Sequence, residues 1–385
     1  MKVERDLHMA AGDGANGYAP NSRLQRKALL ETRPVLQEAV EELYASLSPG
    51  STMVVADLGC SAGPNTLLVV SEVMKTIHAA CAREETADGR RRAVAVQCFL
   101  NDLPGNDFNL VFRSLEQLQK QNDLSSEETM VTPSCYVAGL PGSFYTNLFP
   151  GQSVHLFCSS YSLMWRSKWS LPQTVPDDLS NGTQINEGNI YIGKTTPPSV
   201  IKLFQEQFKK DFQLFLMLRY KELVCGGRFV LTVLGRKSDD MLMHGEVGSM
   251  WELLAHALQS LAQEGRVEQE KINSFNLPFY APSVNEVKAL IKEDHFNIEH
   301  IKTFECNWDP YDDSDSDVVL DSATSGDNVA HKSIRAVIEP LIMEHFGESI
   351  LDELFSVFAS MVAKHLEIRK AKYPIILLSL KKKTQ

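Results

Sequence analysis

The feature that most constrains the fold is a short apolar run that leads into a glycine-containing turn and then a helix. Met53-Val54-Val55-Ala56 predicts a buried strand. The chain continues as Asp57-Leu58-Gly59-Cys60-Ser61-Ala62-Gly63-Pro64-Asn65, and apolar spacing predicts a helix over 66–78. A strand, a tight turn and a helix in this order start a βαβ unit, which builds a parallel sheet.

The same alternation of strand and helix continues along the chain. Apolar runs predict further strands at 94–100, 153–157, 228–234 and 373–380. Helical spacing predicts helices at 24–47, 108–119 and 200–224, the last ended by Gly226-Gly227 as a C-cap. We therefore expect an α/β protein with a largely parallel, doubly wound sheet, preceded by a flexible arm over residues 1–22.

Two stretches interrupt this rhythm and predict a cap over one edge of the sheet. Residues 166–198 are rich in Pro, Asn and Gly, and residues 241–365 contain four predicted helices, at 247–264, 284–294, 333–346 and 350–368. The expected division places the core at 1–165, 199–240 and 366–385. The helical cap is expected at 166–198 and 241–365, where it would cover a pocket at the edge of the sheet.

Composition limits the class of partner. Among 385 residues, 43% are hydrophobic and 23% charged, as in ordinary globular proteins, and the net charge is −11. An acidic surface argues against nucleic acid or an anionic membrane as the main partner. The seven cysteines form no C-x-x-C pair, and the charged N-terminus lacks a secretory signal pattern, so we expect reduced thiols and a cytoplasmic protein.

Two carboxylates at neighbouring strand ends indicate the ligand. Asp57 follows the first strand and Asp102 follows the second. An acid at the end of the second strand can accept both hydroxyls of a ribose, and Asp57 favours a positive centre over a pyrophosphate. A nucleoside with a nearby positive charge describes S-adenosylmethionine, which we expect as the cofactor.

Five ordered motifs carry a resemblance to a known family. The segments ADLGCSAGPNT, FLNDLPGNDFN, GLPGSFY, SSYSLMW and NLPFYAPS resemble those of the SABATH family of plant carboxyl methyltransferases, over nearly the whole chain. Within the family, the sequence is most similar to the salicylate, benzoate and anthranilate methyltransferases of plants, especially grasses. The resemblance implies a Rossmann-like S-adenosylmethionine-dependent methyltransferase core with an α-helical cap, and a homodimer.

The resemblance also implies the site residues. Those expected to bind the cofactor are Ser22, Gln25, Asp57, Asn65, Asp102, Leu103, Ser143 and Phe144. Asp102 would hold the ribose, Leu103 and Phe144 would sandwich the adenine, and Asp57 and Asn65 would meet the methionine end. Gln25 and Trp165 would grip the acceptor carboxylate and act as the catalytic pair. The acceptor ring would lie among Tyr161, Met164, Met250, Trp251, Tyr280, Ile334 and Tyr373.

These residue types suit methyl transfer to a carboxylate. A benzoate-type acid is already ionised at pH 7, so the reaction needs orientation and exclusion of water rather than a general base. We expect the product to be the methyl ester of salicylate or benzoate, with anthranilate or jasmonate as the alternative acceptor. The chain departs from the family pattern at Ala10, Cys158 and Ile334, and Cys158 and Tyr373 would add polar atoms if they face the acceptor pocket.

Other motifs indicate alternatives of a different class. Residues 188–195 match G-x-x-x-x-G-K-[ST], which would suit a P-loop NTPase, but Pro197-Pro198 opposes the helix such a loop needs. A non-catalytic acid-binding protein is a further alternative. By resemblance, Asn189 and the segment Asn273, Phe275 and Asn276 could form a magnesium site, which the loss of a family Asp weakens. The acidic run from Asp309 to Asp317 lacks calcium-loop spacing, so we expect a solvated loop.

Overall fold

The computed structural model describes residues 7–83, 94–123, 134–167, 186–314, 318–319 and 321–384. The strands are β1 (Thr52–Leu58), β2 (Ala95–Asp102), β3 (Cys135–Pro141), β4 (Val154–Ser160), β5 (Leu223–Leu234), β6 (Phe296–Asn307) and β7 (Lys372–Lys382). The first helices are α1 (Tyr18–Asn21), α2 (Arg23–Ser46), α3 (Pro64–Arg83), α4 (Phe108–Asp123) and α5 (Pro198–Glu222). The later ones are α6 (Glu246–Gln263), α7 (Gln269–Ser274), α8 (Val284–Leu290), α9 (Ser322–Asp327), α10 (Arg335–Phe346) and α11 (Leu351–Ile368), with a π-helix over Asn328–Ile334 and short 3-10 turns at Asp239–Leu242 and Glu348–Ile350.

The described strands form one seven-stranded sheet in the order β3-β2-β1-β4-β5-β7-β6. The first five are parallel, whereas β7 runs antiparallel to both β5 and β6. Because parallel strands end at the same edge, Leu58 of β1 lies beside Asn101 of β2. This arrangement confirms the predicted Rossmann-like α/β core and brings the ends of the first two strands together.

Two hydrophobic clusters fill the sides of the sheet. The smaller one packs α2 and α3 against the strands through residues such as Val40, Val73 and Val96. The larger one joins the strands to α5, α6, α10 and α11. No helix in the described part of the chain is long and apolar enough to cross a bilayer.

The structure corrects three local expectations. The sequence prediction missed β3 and β6, which occupy the two edges of the sheet; β6 lies inside the stretch 241–365 that was expected to be cap. The pair Gly226-Gly227 does not cap α5, because the helix ends at Glu222 and both glycines lie within β5, where the register with β4 shifts. The arm over residues 7–21 is packed rather than loose, with Leu7, Ala10 and Tyr18 buried.

Residues 168–185, more than half of the first stretch expected to be cap (166–198), lie outside the described residues. The segment that matched a phosphate loop forms turns and bends before α5 begins at Pro198. Its Ile190, Tyr191 and Ile192 are buried, and Lys194 pairs with Glu252 at 3.3 Å. The Gly188, Asn189 and Gly193 amides of this segment already donate to Asn273 Oδ1, the Asn186 carbonyl and Thr196 Oγ1, so they are not free to bind a phosphate.

Candidate active site

The turn after β1 depends on two glycines with positive φ. Gly59 (φ +75°) lies so close to the β4 side that a Cβ atom there would overlap Ser162 Oγ. Gly63 (φ +126°) lies against the arm, where a Cβ atom would come within 2.9 Å of Ala19. Only glycine adopts these angles without strain and leaves this space. The turn is therefore locked between the arm and the end of β4.

Asp57 and Asp102 lie at the ends of adjacent strands, as predicted, and both are hydrogen-bonded. Asp57 is buried and its Oδ2 accepts from Thr66 Oγ1 at 2.7 Å. Asp102 Oδ2 accepts from the Ser61 amide at 2.6 Å, and its Oδ1 accepts from the Leu103 amide at 2.7 Å. These bonds fix both carboxylates in orientation.

Burial raises the pKa of both carboxyls. The pKa of Asp57 is raised to about 7, with a further contribution from the nearby charge of Asp102. The pKa of Asp102 is raised to about 6 by burial, against the lowering effect of its two backbone hydrogen bonds. A cation bound beside them would stabilise the ionised forms.

A cavity of about 710 Å³ opens at these strand ends. It brings together six of the sequence-predicted residues: Asp102, Leu103, Ser143, Phe144, Tyr161 and Trp165. Its wall combines aromatic faces with a few polar groups, as small-molecule sites do. Ser22, Gln25, Asp57 and Asn65 do not line this cavity.

Those four residues lie at the junction of α2, α3 and β1. Asn65 Nδ2 donates to the Ser22 carbonyl at 3.0 Å, and Ser22 Oγ donates to the Ala19 carbonyl at 3.2 Å. Gln25 Oε1 is buried and has no partner among the described residues. Because buried polar atoms are nearly always paired, this oxygen indicates a position that a ligand or water completes.

The residues present fit S-adenosylmethionine. Leu103 and Phe144 both line the cavity, as a sandwich around the adenine requires, and Asp102 lies beside them with a fixed carboxylate. The ring of Phe144 is held by edge-on contacts with Tyr145 and Phe215, with centroids 4.7 and 6.0 Å away. Ser61 Oγ and Tyr161 Oη are also buried without a partner in the described chain.

Sequence reasoning missed part of the cavity wall. Leu7, His8, Met9 and Tyr18 of the arm line the cavity. The apolar residues among the arm's glycines were the available signal, and the absence of periodicity hid it. Arg166 also lines the cavity; it is buried, and its guanidinium lies 4.4 Å from the centre of the Phe204 ring.

The predicted acceptor residues belong to the larger hydrophobic cluster. The rings of Trp165 and Trp251 each lie 5.5 Å from Phe279, edge to face. Phe279 is thus the centre of a cluster of rings that contains both expected indoles, whereas the expectation named its neighbour Tyr280. Successive residues of extended chain point to opposite sides. Tyr280 accordingly packs on Phe208 and donates its hydroxyl to Glu286 at 2.7 Å.

The remaining acceptor candidates differ in their surroundings. Tyr161 has a positive φ of 57°, and burial and the neighbouring Cys306 and Tyr373 raise the pKa of its hydroxyl. Tyr373 stacks on Trp308 with centroids 5.6 Å apart. Met164, Met250 and Ile334 are buried apolar side chains. Cys158, in contrast, lies in the smaller cluster on the α2–α3 side.

Two of the side-chain oxygens expected to hold magnesium already accept hydrogen bonds, and the third expected amide, Asn189, donates through Nδ2 to Thr195 Oγ1 at 2.9 Å. Asn273 Oδ1 accepts from the Gly188 amide and from Gln269 Nε2, and Asn276 Oδ1 accepts from Asn186 Nδ2. Phe275 is fully buried against Phe346. A hard cation needs free oxygen ligands, and these oxygens already accept hydrogen bonds.

Comparison with known proteins agrees with this geometry. The sequence profile of the SAM-dependent carboxyl methyltransferases matches residues 4–383. The chain is 52% identical to an anthranilate O-methyltransferase of Zea mays, covering 99% of this chain and 98% of that protein. It is 50% identical to a benzoate O-methyltransferase of the same plant, covering 99% and 100%.

A solved structure is similar over the full length. A loganic acid methyltransferase with SAH superposes with a TM-score of 0.80 at 29% identity, covering 98% of this chain and 99% of that one. The full-length sequence match identifies the family, and the fold and the paired acids at the strand ends agree with it. The chain is a member of the SAM-dependent carboxyl methyltransferase family.

Proposed function

We propose that this protein transfers a methyl group from S-adenosylmethionine to the carboxylate of a small aromatic acid, salicylate or benzoate, to make the methyl ester. The observation that carries this proposal is the single cavity in which Asp102, Leu103, Ser143 and Phe144 meet Tyr161 and Trp165. When bound, S-adenosylmethionine supplies an electrophilic methyl group on a positively charged sulfur.

The chain itself has to orient the acceptor carboxylate towards the methyl group and to exclude water. Gln25 and the indole N–H of Trp165 are neutral donors, so they would hold the acceptor carboxylate without neutralising it as an arginine would. Trp165 is 7% exposed and is fixed by Phe279. Orientation of this kind contributes about 7–11 kcal/mol in well-aligned intramolecular reactions. No general base is required because the acid binds as its anion.

Anthranilate is the second candidate acceptor. The 52% identity of this chain to an anthranilate O-methyltransferase of Zea mays supports this acceptor. Anthranilate and salicylate differ by one ortho substituent, and a difference of that size in an apolar pocket is worth only about 1–3 kcal/mol. Jasmonate is a further alternative from the sequence resemblance.

An assay panel tests the reaction and the acceptor together. Labelled S-adenosylmethionine is incubated with salicylate, benzoate, anthranilate, jasmonate and indole-3-acetate, and the esters are quantified. We expect the highest kcat/KM for one of the two proposed acids. Acid binding by calorimetry without any ester would instead favour a non-catalytic acid-binding protein.

Two variants separate the cofactor from the acceptor. Asp102→Ala should abolish S-adenosylmethionine binding measured by calorimetry, because the ribose loses its carboxylate. Trp165→Ala should raise the acceptor KM and lower kcat while cofactor affinity stays unchanged. Retained cofactor affinity in the first variant, or unaltered turnover in the second, would contradict the proposed roles.

We also infer that the enzyme works as a cytoplasmic homodimer in which residues 166–198 and 241–365, apart from β6, cap the acceptor pocket. The sequence resemblance supports the dimer and the cap, and the seven free cysteines support a reducing compartment. Light scattering after size-exclusion chromatography measures the mass of the assembly. A monomer at micromolar concentration would contradict the first inference.

A further inference from the structure

The acidic segment, residues 309–314, was expected to be a solvated loop, yet it is bonded on three sides. It connects β6 to the region before α9 and contains Asp309, Asp312 and Asp313. Asp309 is 7% exposed, and the Asp312 side chain is 18% exposed. Carboxylates are placed in such surroundings only when they are paired.

The first side is the helix that carries Gln25. Asp313 lies 3.2 Å from Arg23 Nη2 and 2.5 Å from Lys27 Nζ. Arg23 Nε also donates to the Pro310 carbonyl at 2.8 Å. Arg23 and Lys27 are the residues two positions before and after Gln25 on α2. The acidic segment therefore binds α2 through the residues before and after Gln25, which is the expected hydrogen-bond donor to the acceptor carboxylate.

The second side is the entry to β7. Lys370 Nζ lies 2.8 Å from Asp312 Oδ2 and donates to the Ser314 carbonyl at 2.6 Å. The Lys370 side chain is only 4% exposed, and its contact with the half-buried Asp312 is charge-assisted. Against the raising effect of burial, the hydrogen bonds from Lys370 and Ser314 lower the pKa of Asp312 to about 2. Tyr373 of the expected acceptor pocket follows three residues later.

The third side is the π-helix that ends at Ile334. Asp309 Oδ2 accepts from Ser325 Oγ at 2.7 Å and from Asn328 Nδ2 at 3.2 Å. Lys332 Nζ donates to Asn328 Oδ1 at 2.7 Å. The Tyr311 ring lies between two cations, 5.2 Å from the Arg23 guanidinium and 4.9 Å from Lys332 Nζ.

We propose that the acidic segment is an electrostatic clamp that positions the acceptor pocket by holding α2, the entry to β7 and the π-helix together. These three elements carry Gln25, Tyr373 and Ile334. The proposal rests on the proposed function, because it concerns the acceptor side of that same site. Asp312 and Asp313 are positioning residues, since they act through neighbours rather than on the reacting atoms. A displacement of about 1 Å at a catalytic donor can lower a rate by about a hundredfold, so such a clamp affects turnover.

The test compares Asp312→Asn and Asp313→Asn with Asp240→Asn, a matched change at an exposed aspartate. We expect the acceptor KM to rise about tenfold in Asp312→Asn, whose side chain is only 18% exposed, and about threefold in Asp313→Asn, whose side chain is 65% exposed. Cofactor Kd should change less than twofold in both. Asp313→Glu should restore the wild-type acceptor KM.

The dependence of the acceptor KM on ionic strength is a second measurement, which would not change if the segment had a merely structural role. Raising the ionic strength should bring the acceptor KM of the wild type towards that of Asp313→Asn, because exposed ion pairs are screened. The proposal is overturned if both variants keep the wild-type acceptor KM, or if cofactor Kd and acceptor KM rise equally. If Asp312→Asn does not fold, the acceptor KM of Asp313→Asn, a change at an exposed position, still tests the proposal.

The outcome is distinguishable from failure of the proposed function. Wild-type protein that esterifies none of the panel acids contradicts the function, whatever the variants do. The clamp is then judged by salicylate and benzoate binding in calorimetry, where Asp313→Asn should bind more weakly than Asp240→Asn. Equal binding by those two variants would overturn the clamp.

Discussion

Single residues at the ends of β1 and β2 set the charge of the site. The sequence places Asp57 and Asp102 at the strand ends, because Asp57 directly follows an apolar run and Asp102 follows one after a single asparagine. The sequence does not show that burial raises the pKa of Asp57 to about 7 and that of Asp102 to about 6. Similarly, the motif NLPFYAPS is visible, but which of Phe279 and Tyr280 meets the two indoles depends on how the extended chain is oriented.

The raised pKa of Asp57 predicts a pH dependence of cofactor affinity. Above about pH 7 the free protein holds Asp57 ionised, which attracts a cation; below it the carboxyl is protonated and the attraction is lost. The Kd of S-adenosylmethionine should therefore rise as the pH falls from 8 to 6. S-adenosylhomocysteine lacks the sulfonium charge, so its Kd should rise less. Calorimetry across this range, with Asp57→Asn as the control, measures both, and parallel profiles for the two ligands would contradict the assignment.

At the scale of elements, the end of α5 holds the loop that carries Ser143 and Phe144. Arg219 donates to the Phe144 and Thr146 carbonyls, both at 2.7 Å, and pairs with Glu222 at 2.7 Å. Glu222 in turn accepts from the Leu148 amide at 2.8 Å. Arg219 is fully buried. The sequence predicts the helix but not this network, because its partners lie about 75 residues apart along the chain.

Breaking this network should destabilise the fold and weaken cofactor binding together. Arg219→Ala leaves Glu222 buried without its counter-charge, which costs about 3–5 kcal/mol of unfolding free energy. We also expect a higher Kd for S-adenosylmethionine, because the Phe144 backbone loses its anchor. Urea unfolding and calorimetry measure the two effects. Lys221→Ala, at an exposed position of the same helix, is the control and should change neither; a wild-type unfolding midpoint for Arg219→Ala would refute the anchor.

At the scale of the whole molecule, the C-terminal strand completes the sheet. β7 lies between β5 and β6, and it is antiparallel to both. Ile375 and Leu380 are fully buried, and Leu378 nearly so. Periodicity predicted this strand, but its place inside the sheet depends on β6, which sequence reasoning missed.

Removing this strand should therefore abolish the native state. A chain that ends at residue 371 leaves β6 without a neighbour and exposes the edge of β5, which favours aggregation. A chain that ends at residue 382 loses only the tail, including the bond from the Lys383 amide to the His295 carbonyl, and should melt within a few degrees of wild type. Solubility and thermal unfolding measure both; cooperative melting of the shorter chain would contradict this role of β7.

The sequence by itself determined the parallel core, the two acids at its strand ends and the family of the chain. These features are encoded by residues that are neighbours along the chain, where apolar spacing and turn chemistry are readable. The tertiary structure alone decided the edge strands β3 and β6, the packing of the arm, the role of Phe279 and the bonding of the acidic segment. Those depend on partners far apart in sequence. Only the folded chain brings these partners within contact distance, because in a different strand register the same residues would face solvent.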